Sequence, residues 1–352
     1  MLPQAGARPA EPPVAGEPAP GPPRRPSGVR TAVAAAVGAL LLALLLAHTD
    51  IDAVHDLMGD LGPWSPLLLL PYMAIAYVDA RGWRCTMPAA SVERIAFWRI
   101  YLARMAGEAI NSVTPTAAIG GEPVKAYLLR DLGLTSADGV ASLVIAKTAL
   151  TVTQSLFVVI GLTALFGREG FQRLELLSLM GLSLVTAGFG LLLVRLQRRR
   201  PAYTVWRWLK RVLPRARFVA RLEAGVAAID ERLADFYRIE QGAFWRASLW
   251  HMTGWLLGVW EVRLMMWVIG APITWRDALI IEAIAQPIRA TSIIIPGGLG
   301  TQELGGVAFC RWLGMPEPVA VTFWLLKRAR ELVFDGVGLA YLARHSTRRS
   351  GG

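Results

Sequence analysis

Long apolar runs broken by charge set the pattern of this chain. From Thr31 to Ala47 the residues are almost all Ala, Val, Leu and Gly. Further apolar runs lie at about Trp64–Ala80, Ala137–Phe166, Leu176–Val194, Ser248–Ile269 and Val319–Ala343. A helix needs roughly 20 largely apolar residues to cross a bilayer. The pattern therefore predicts an all-α integral membrane protein with about six full spans.

Two further segments, 94–133 and 277–313, are hydrophobic but interrupted. The first contains GEAINSVTPTAAIGGEPVKA and the second QPIRATSIIIPGGLGTQELGG. In each, a charged residue is followed by Pro seven positions later and Glu seven later again: Glu108, Pro115, Glu122 and Arg289, Pro296, Glu303. Pro lacks the N–H that a helix needs, and Gly tolerates backbone angles that end one. Both segments are expected to fold back as re-entrant broken-helix hairpins. Each is flanked by full spans, so with both folded back residues 64–166 and 248–343 form two units of opposite orientation. That is an inverted repeat, an architecture that places sites at broken helices near the midplane. If the segments cross fully instead, the count becomes about ten spans.

Charge between the runs gives the organisation and the topology. Residues 1–29, with nine prolines, are expected to be a disordered tail. Residues 30–194 form membrane half one with the hairpin 94–133, and 247–343 form half two with the hairpin 277–313. Between them, 195–246 is basic. Its stretch 195–221 holds ten Lys or Arg and no acid. Val205, Trp208, Leu209, Val212 and Leu213 share one helical face there, an interfacial pattern, and Leu222, Val226, Ile229, Leu233 and Phe236 mark a second amphipathic helix. The segment reads as a loop that fixes topology, with a sensor of anionic lipid as the alternative. Residues 344–352 are a basic tail. By the positive-inside rule both termini and 195–246 of a multi-pass protein are expected to be cytoplasmic. Leu45 spoils a small-residue cleavage pattern, so the first run is expected to remain as a span.

Composition sharpens this picture only in part. The 352 residues are 54% hydrophobic and 18% charged, with a net charge of +11. The basic residues flank spans and carry no nucleic-acid module, so they point to lipid head groups and not to nucleic acid. Two cysteines and four scattered histidines offer neither a disulfide framework nor a metal site. PGGLGTQE lacks the Lys-Ser/Thr of a phosphate loop. No catalytic constellation is legible, and no cofactor is expected.

The candidate chemistry lies in charges that should not be in lipid. Arg104, Glu108, Glu122, Lys125, Lys147, Glu261, Arg263, Glu282, Arg289, Glu303, Lys327, Arg328, Arg330, Glu331 and Asp335 fall within the interrupted segments or spans, eight basic and seven acidic. Each would cost about 2.5–3.5 kcal/mol at the bilayer centre even on a lenient scale. They either pair as an internal lattice or line a polar groove for a charged head group. Glu122 and Glu303, in the glycine-rich breaks, are expected to face a shared polar cavity.

At these motifs the chain resembles the flippase-type membrane domain of lysylphosphatidylglycerol synthases. The residues concerned are GEAINSVTPTAAIGGEPVKAYLL, the Lys147 region, and EAIAQPIRA, IPGGLGTQE and LLKRARELVFDGVGLAYL. Within that group it is most similar to the hopanoid-biosynthesis-associated membrane proteins called HpnL. The resemblance covers about residues 60–343. It implies a polytopic domain of the bacterial inner membrane that moves or handles polar lipids. Gly107, Glu108, Asn111, Gly120, Gly121, Glu122 and Lys125 fall on the first family motif, where the last position is usually Arg. Gln302, Glu303, Lys327, Arg328, Arg330 and Glu331 fall on the second. Lys147 stands where the nearest relatives are expected to carry an acid. The synthases' soluble aminoacyl-transfer domain has no counterpart here, so that reaction is not expected.

The expected function is lipid transport of the flippase kind, for a hopanoid, a lipid-linked glycan or a phospholipid. The substrate-binding candidates are Glu108, Asn111, Gly121, Glu122, Lys125, Lys147, Arg289, Gln302, Glu303, Lys327, Arg330 and Glu331. A membrane transferase acting on a lipid-linked substrate is one alternative. A non-transporting partner of lipid- or glycan-biosynthesis enzymes is another. Oligomeric state is not legible.

Overall fold

Among the described residues every regular element is a helix. The structure is a computed structural model that describes residues 47, 51–59, 62–114, 120–166, 173–197, 201–212, 223–291 and 295–350. Residues 31–46 of the first apolar run and Pro115 lie outside them.

Twelve helices organise these residues: α1 (Ile51–Gly59), α2 (Leu70–Arg84), α3 (Phe97–Val113), α4 (Gly121–Asp131), α5 (Ser136–Thr163), α6 (Arg173–Gln197), α7 (Pro201–Val212), α8 (Glu223–Ile239), α9 (Gln241–Val268), α10 (Trp275–Thr291), α11 (Thr301–Trp312) and α12 (Glu317–Ser350). Short helical turns at Gly62–Leu69, Ala89–Val92 and Pro296–Gly298 complete the set. By length and composition, α5 is the one described helix apolar enough to cross a membrane, with a mean hydropathy of 1.8. Its start is fixed locally. The Thr135 hydroxyl accepts the Asp138 N–H at 3.1 Å, satisfying one of the orphan donors of the first turn. Helices α9, with 28 residues, and α12, with 34, are as long but carry buried charge.

The interrupted segments are pairs of short helices. α4 runs back along α3, so Leu128 and Leu129 pack with Ile100 and Ala103. In the second segment α10 stops at Thr291 and α11 starts at Thr301, and α11 returns along α10, with Gly305 against Ile288. Gly297, Gly298 and Gly300 adopt positive φ between them, which an L side chain resists. Gly297 also lies against the Ser112 carbonyl near the end of α3, so the tips of the two broken segments touch.

A glycine explains the closeness of the first pair. A Cβ on Gly121 would sit 1.9 Å from the Gly107 carbonyl oxygen. Gly121→Ala must push α4 off α3, and overpacking of this kind costs about 1–3 kcal/mol. We expect a lower thermal midpoint in detergent. Gly59→Ala, with open space around its Cβ, is the control, and equal midpoints for the two variants would contradict the close-approach role.

Two four-helix sets, α2–α5 and α9–α12, meet in three antiparallel pairings, α2 with α9, α3 with α12, and α5 with α10, and α5 also packs on α9. Gly82 meets Ala247 and His251 while Gly254 meets Asp79; Gly161 meets Ala283; Gly338 meets Met105. Exchanging the two sets in order leaves the three antiparallel pairings unchanged but not the α5–α9 packing, whose counterpart, α12 on α2, is much slighter. α6 packs on α5, and α8 packs on α5 and α7. Leu233 and Phe236 of α8 are buried, and Asp230 accepts the N–H groups of Ala202 and Tyr203 at 2.9 and 2.6 Å, capping α7. On α7, Trp206 is buried and Trp208 exposed.

Candidate functional site

Apolar helix faces leave no water for a charge, so each buried ion must find its counter-ion in the protein. The first cluster lies where α3, α4 and α5 meet. Lys125, 5% exposed, donates to Glu108 at 2.7 Å and to Glu122 at 3.0 Å. Asn111 accepts the Gly121 N–H at 2.7 Å, which supplies an acceptor to the first turn of α4. Lys147 of α5 stands 3.9 Å from Glu122 and is about half exposed.

The second cluster lies where α10, α11 and α12 meet. Arg328 donates to Glu303 at 2.6 Å, to Glu331 at 2.9 Å and to the Gly297 carbonyl at 2.9 Å. Gln302 donates to the same carbonyl at 3.1 Å. Arg289, half exposed, reaches Glu331 at 3.4 Å. The two clusters share a spacing: Glu122 meets Lys147, and Glu303 meets Arg328, each 25 positions on.

Two buried pairs and one triad join α2, α3, α9, α10 and α12. Lys327 holds Glu282 at 2.6 Å. Arg330 holds Glu261 at 2.9 Å and lies over the Tyr72 ring, 4.2 Å from its centroid. Asp79 takes Arg104 at 2.6 Å on one oxygen and His251 Nδ1 at 2.8 Å on the other. His251 Nε2 has no hydrogen-bond partner among the described residues.

A cavity of about 300 Å³ opens between the two helix sets. Of the sequence candidates it is lined by Glu108, Lys147, Arg289, Lys327 and Arg330. Gln154 and Gln286, hydrogen-bonded across α5 and α10 at 3.2 Å, also line it. Asp79, Glu261 and Glu282 complete its carboxylates. All four of these acids, Glu108 included, are held by cations at 2.6–2.9 Å. Glu122 and Lys125 border a smaller pocket beside it, which shares Glu108, Lys147 and His251.

The expectation that Glu122 and Glu303 face one cavity needs correction. Glu303 is 1% exposed, sealed by Arg328, and does not line the cavity. Asn111, Gly121, Gln302 and Glu331 likewise stand behind the lining, where they fix helix ends and cations. Sequence reading passed over Asp79, His251, Gln154 and Gln286 as members. An acid such as Asp79 inside an apolar run was the available signal.

Comparison with known proteins agrees with the helical architecture. The chain is 23% identical over 319 residues to a UPF0104 membrane protein of Methanothermobacter thermautotrophicus, covering 84% of this chain and 92% of that one. It is 24% identical over 307 residues to the UPF0104 membrane protein PH1989 of Pyrococcus horikoshii, covering 83% and 90%. No solved structure matches the chain. The model of the lysylphosphatidylglycerol synthase TM region matches residues 31–337, and the chain therefore belongs to that family of membrane proteins.

Proposed function

We propose that the protein transports a polar lipid across its membrane in flippase fashion, with the head group in the cavity between the two helix sets and the tails in the bilayer. One observation carries this reading. Charged side chains from both sets converge on a space of about 300 Å³, large enough for a head group. The unchanged pairings under exchange of α2–α5 with α9–α12 support an inverted repeat. In such repeats, rocking of one unit on the other exposes a fixed site alternately to each side.

Reconstitution into liposomes with a head-group-labelled lipid tests the proposal. Movement between leaflets without chemical change is the expected result. Conversion of the lipid would favour a transferase, for which His251, oriented by Asp79, is the base that the cavity offers. Neither movement nor conversion would leave a structural partner of lipid-biosynthesis enzymes.

The proposed setting is a bacterial inner membrane with both termini and α7–α8 in the cytoplasm. Ten basic residues in 195–221 carry that orientation. After both native cysteines are replaced, a cysteine at Lys210 should resist membrane-impermeant maleimide in intact cells and react after permeabilisation. Labelling before permeabilisation would reverse the orientation.

A further inference from the structure

Lys147 connects the charged cavity to a second space whose chemistry is the opposite. Between α4 and α5 runs a groove of about 570 Å³, lined by Pro123, Ala126, Tyr127, Val140, Leu143 and Val144. Polar side chains stand at its margins: Arg130 and Ser136, and Glu122 with Lys147. Leu143, Glu122 and Lys147 also line the small pocket beside the cavity, and Lys147 lines groove, pocket and cavity alike. Among the described residues, Lys147 is thus the one lining side chain shared by an apolar, outward-facing slot and a polar chamber.

The chamber's lining carries one more cation than carboxylates: Arg104, Lys147, Arg289, Lys327 and Arg330 against Asp79, Glu108, Glu261 and Glu282. Its four carboxylates are each held within 2.9 Å by a cation. Lys147 and Arg289 are its two loosely held ions, with their nearest carboxylate oxygens at 3.9 and 3.4 Å and their side chains half exposed. Loosely paired cations can take a new anion without stranding a buried carboxylate, whereas the tight pairs cannot. A lysine and an arginine lining one cavity suit phosphate, the first as a point charge and the second as a fork.

We propose that the α4–α5 groove is a tail-binding site for a phosphate-bearing lipid, whose phosphate is held by Lys147 and Arg289 at the mouth of the cavity. The inference rests on the transport reading for its purpose but not for its geometry. The tail lies along Val140, Leu143 and Val144. The phosphate neutralises Lys147, which Glu122 alone satisfies poorly. The lipid thus enters sideways from the bilayer between α4 and α5, head first into the chamber.

Photo-crosslinking of the purified full chain in detergent tests this. The probes are a phosphatidic acid with a diazirine in its acyl tail and a diacylglycerol with the same tail. Phosphatidic acid should label peptides between Pro123 and Val144, about tenfold more than diacylglycerol, as expected for loss of a charged hydrogen bond. Lys147→Gln should lower phosphatidic-acid labelling to the diacylglycerol level, while Lys147→Arg keeps it. Val144→Trp, which fills the groove and leaves Lys147 in place, should lower labelling by both probes. Equal labelling by the two probes, adducts elsewhere on the chain, or labelling unchanged in Lys147→Gln and Val144→Trp would overturn the site. Adducts absent because residues 31–46 occupy the groove would overturn it too. Leaflet movement measured after the same preparations are reconstituted into liposomes separates the two ideas. Groove labelling without movement leaves the site and removes the transport reading. Movement with no groove labelling does the reverse.

Discussion

Arg330→Met should lower the stability of the folded protein by about 3–5 kcal/mol, the usual consequence of stranding a buried charge. Glu261 is 1% exposed and Arg330 is 5% exposed. Removing the guanidinium leaves Glu261 facing Glu282 on the neighbouring helix, with Lys327 already committed to Glu282 at 2.6 Å. It also removes the cation over the Tyr72 ring. The single variant is expected to accumulate poorly and to melt early in detergent. The double variant Glu261→Met with Arg330→Met should recover most of the loss, because buried ion pairs are often matched in stability by apolar groups of similar volume. Thermal unfolding of wild type, single and double variants in one detergent decides the matter. A single variant as stable as wild type would show that the pair sits in water and not in a dry core. A double variant no better than the single would show that the position needs charge for a reason other than pairing.

Helical class, family and the places where helices stop were legible from the sequence, because each is written locally. PGGLG ends a helix wherever it falls, and the structure puts the boundary of α10 and α11 around it. Leu233 and Phe236 declare a buried face by spacing alone, and both are buried. Partners were not legible. Asp79 reaches Arg104 and His251, 25 and 172 positions away. Nothing local distinguishes these from Arg99 or His55, which do not join it. The charge count, near parity over the membrane segments, said only that pairing was possible. Which carboxylate would be sealed and which would face a cavity depends on the helix crossing. Glu122 and Glu303 occupy equivalent places in their motifs and differ in exposure because Arg328 closes over one while Lys147 stands off from the other. The 25-residue spacing between each Glu and its cation was present in the sequence and could have been read as a second mark of the repeat.

That difference makes the two glutamates separable by experiment. Glu122→Gln should leave the protein inserted and abundant while reducing lipid movement by about tenfold or more. Its side chain is one-fifth exposed and borders the path past Lys147. Gln can still accept from Lys125, so the α4 hairpin keeps its tie to α3. What it loses is the charge that balances Lys147 and positions it. Glu303→Gln should act the other way. Glu303 sits behind the cavity lining, and its neutralisation weakens the hold on Arg328, which keeps Glu331 at 2.9 Å and the Gly297 carbonyl. A cost of about 1.5–3 kcal/mol follows from weakening a hydrogen bond between charged groups. Protein level should fall, and movement per surviving molecule should stay near wild type. Both quantities are needed for both variants: abundance by quantitative blotting of membranes, and leaflet movement per reconstituted molecule. If Glu122→Gln moves lipid at the wild-type rate, Glu122 leaves the site and Lys147 acts without it. If Glu303→Gln is abundant but inactive, the buried cluster of α10, α11 and α12 takes part in transport directly, and its seal by Arg328 must open during the cycle.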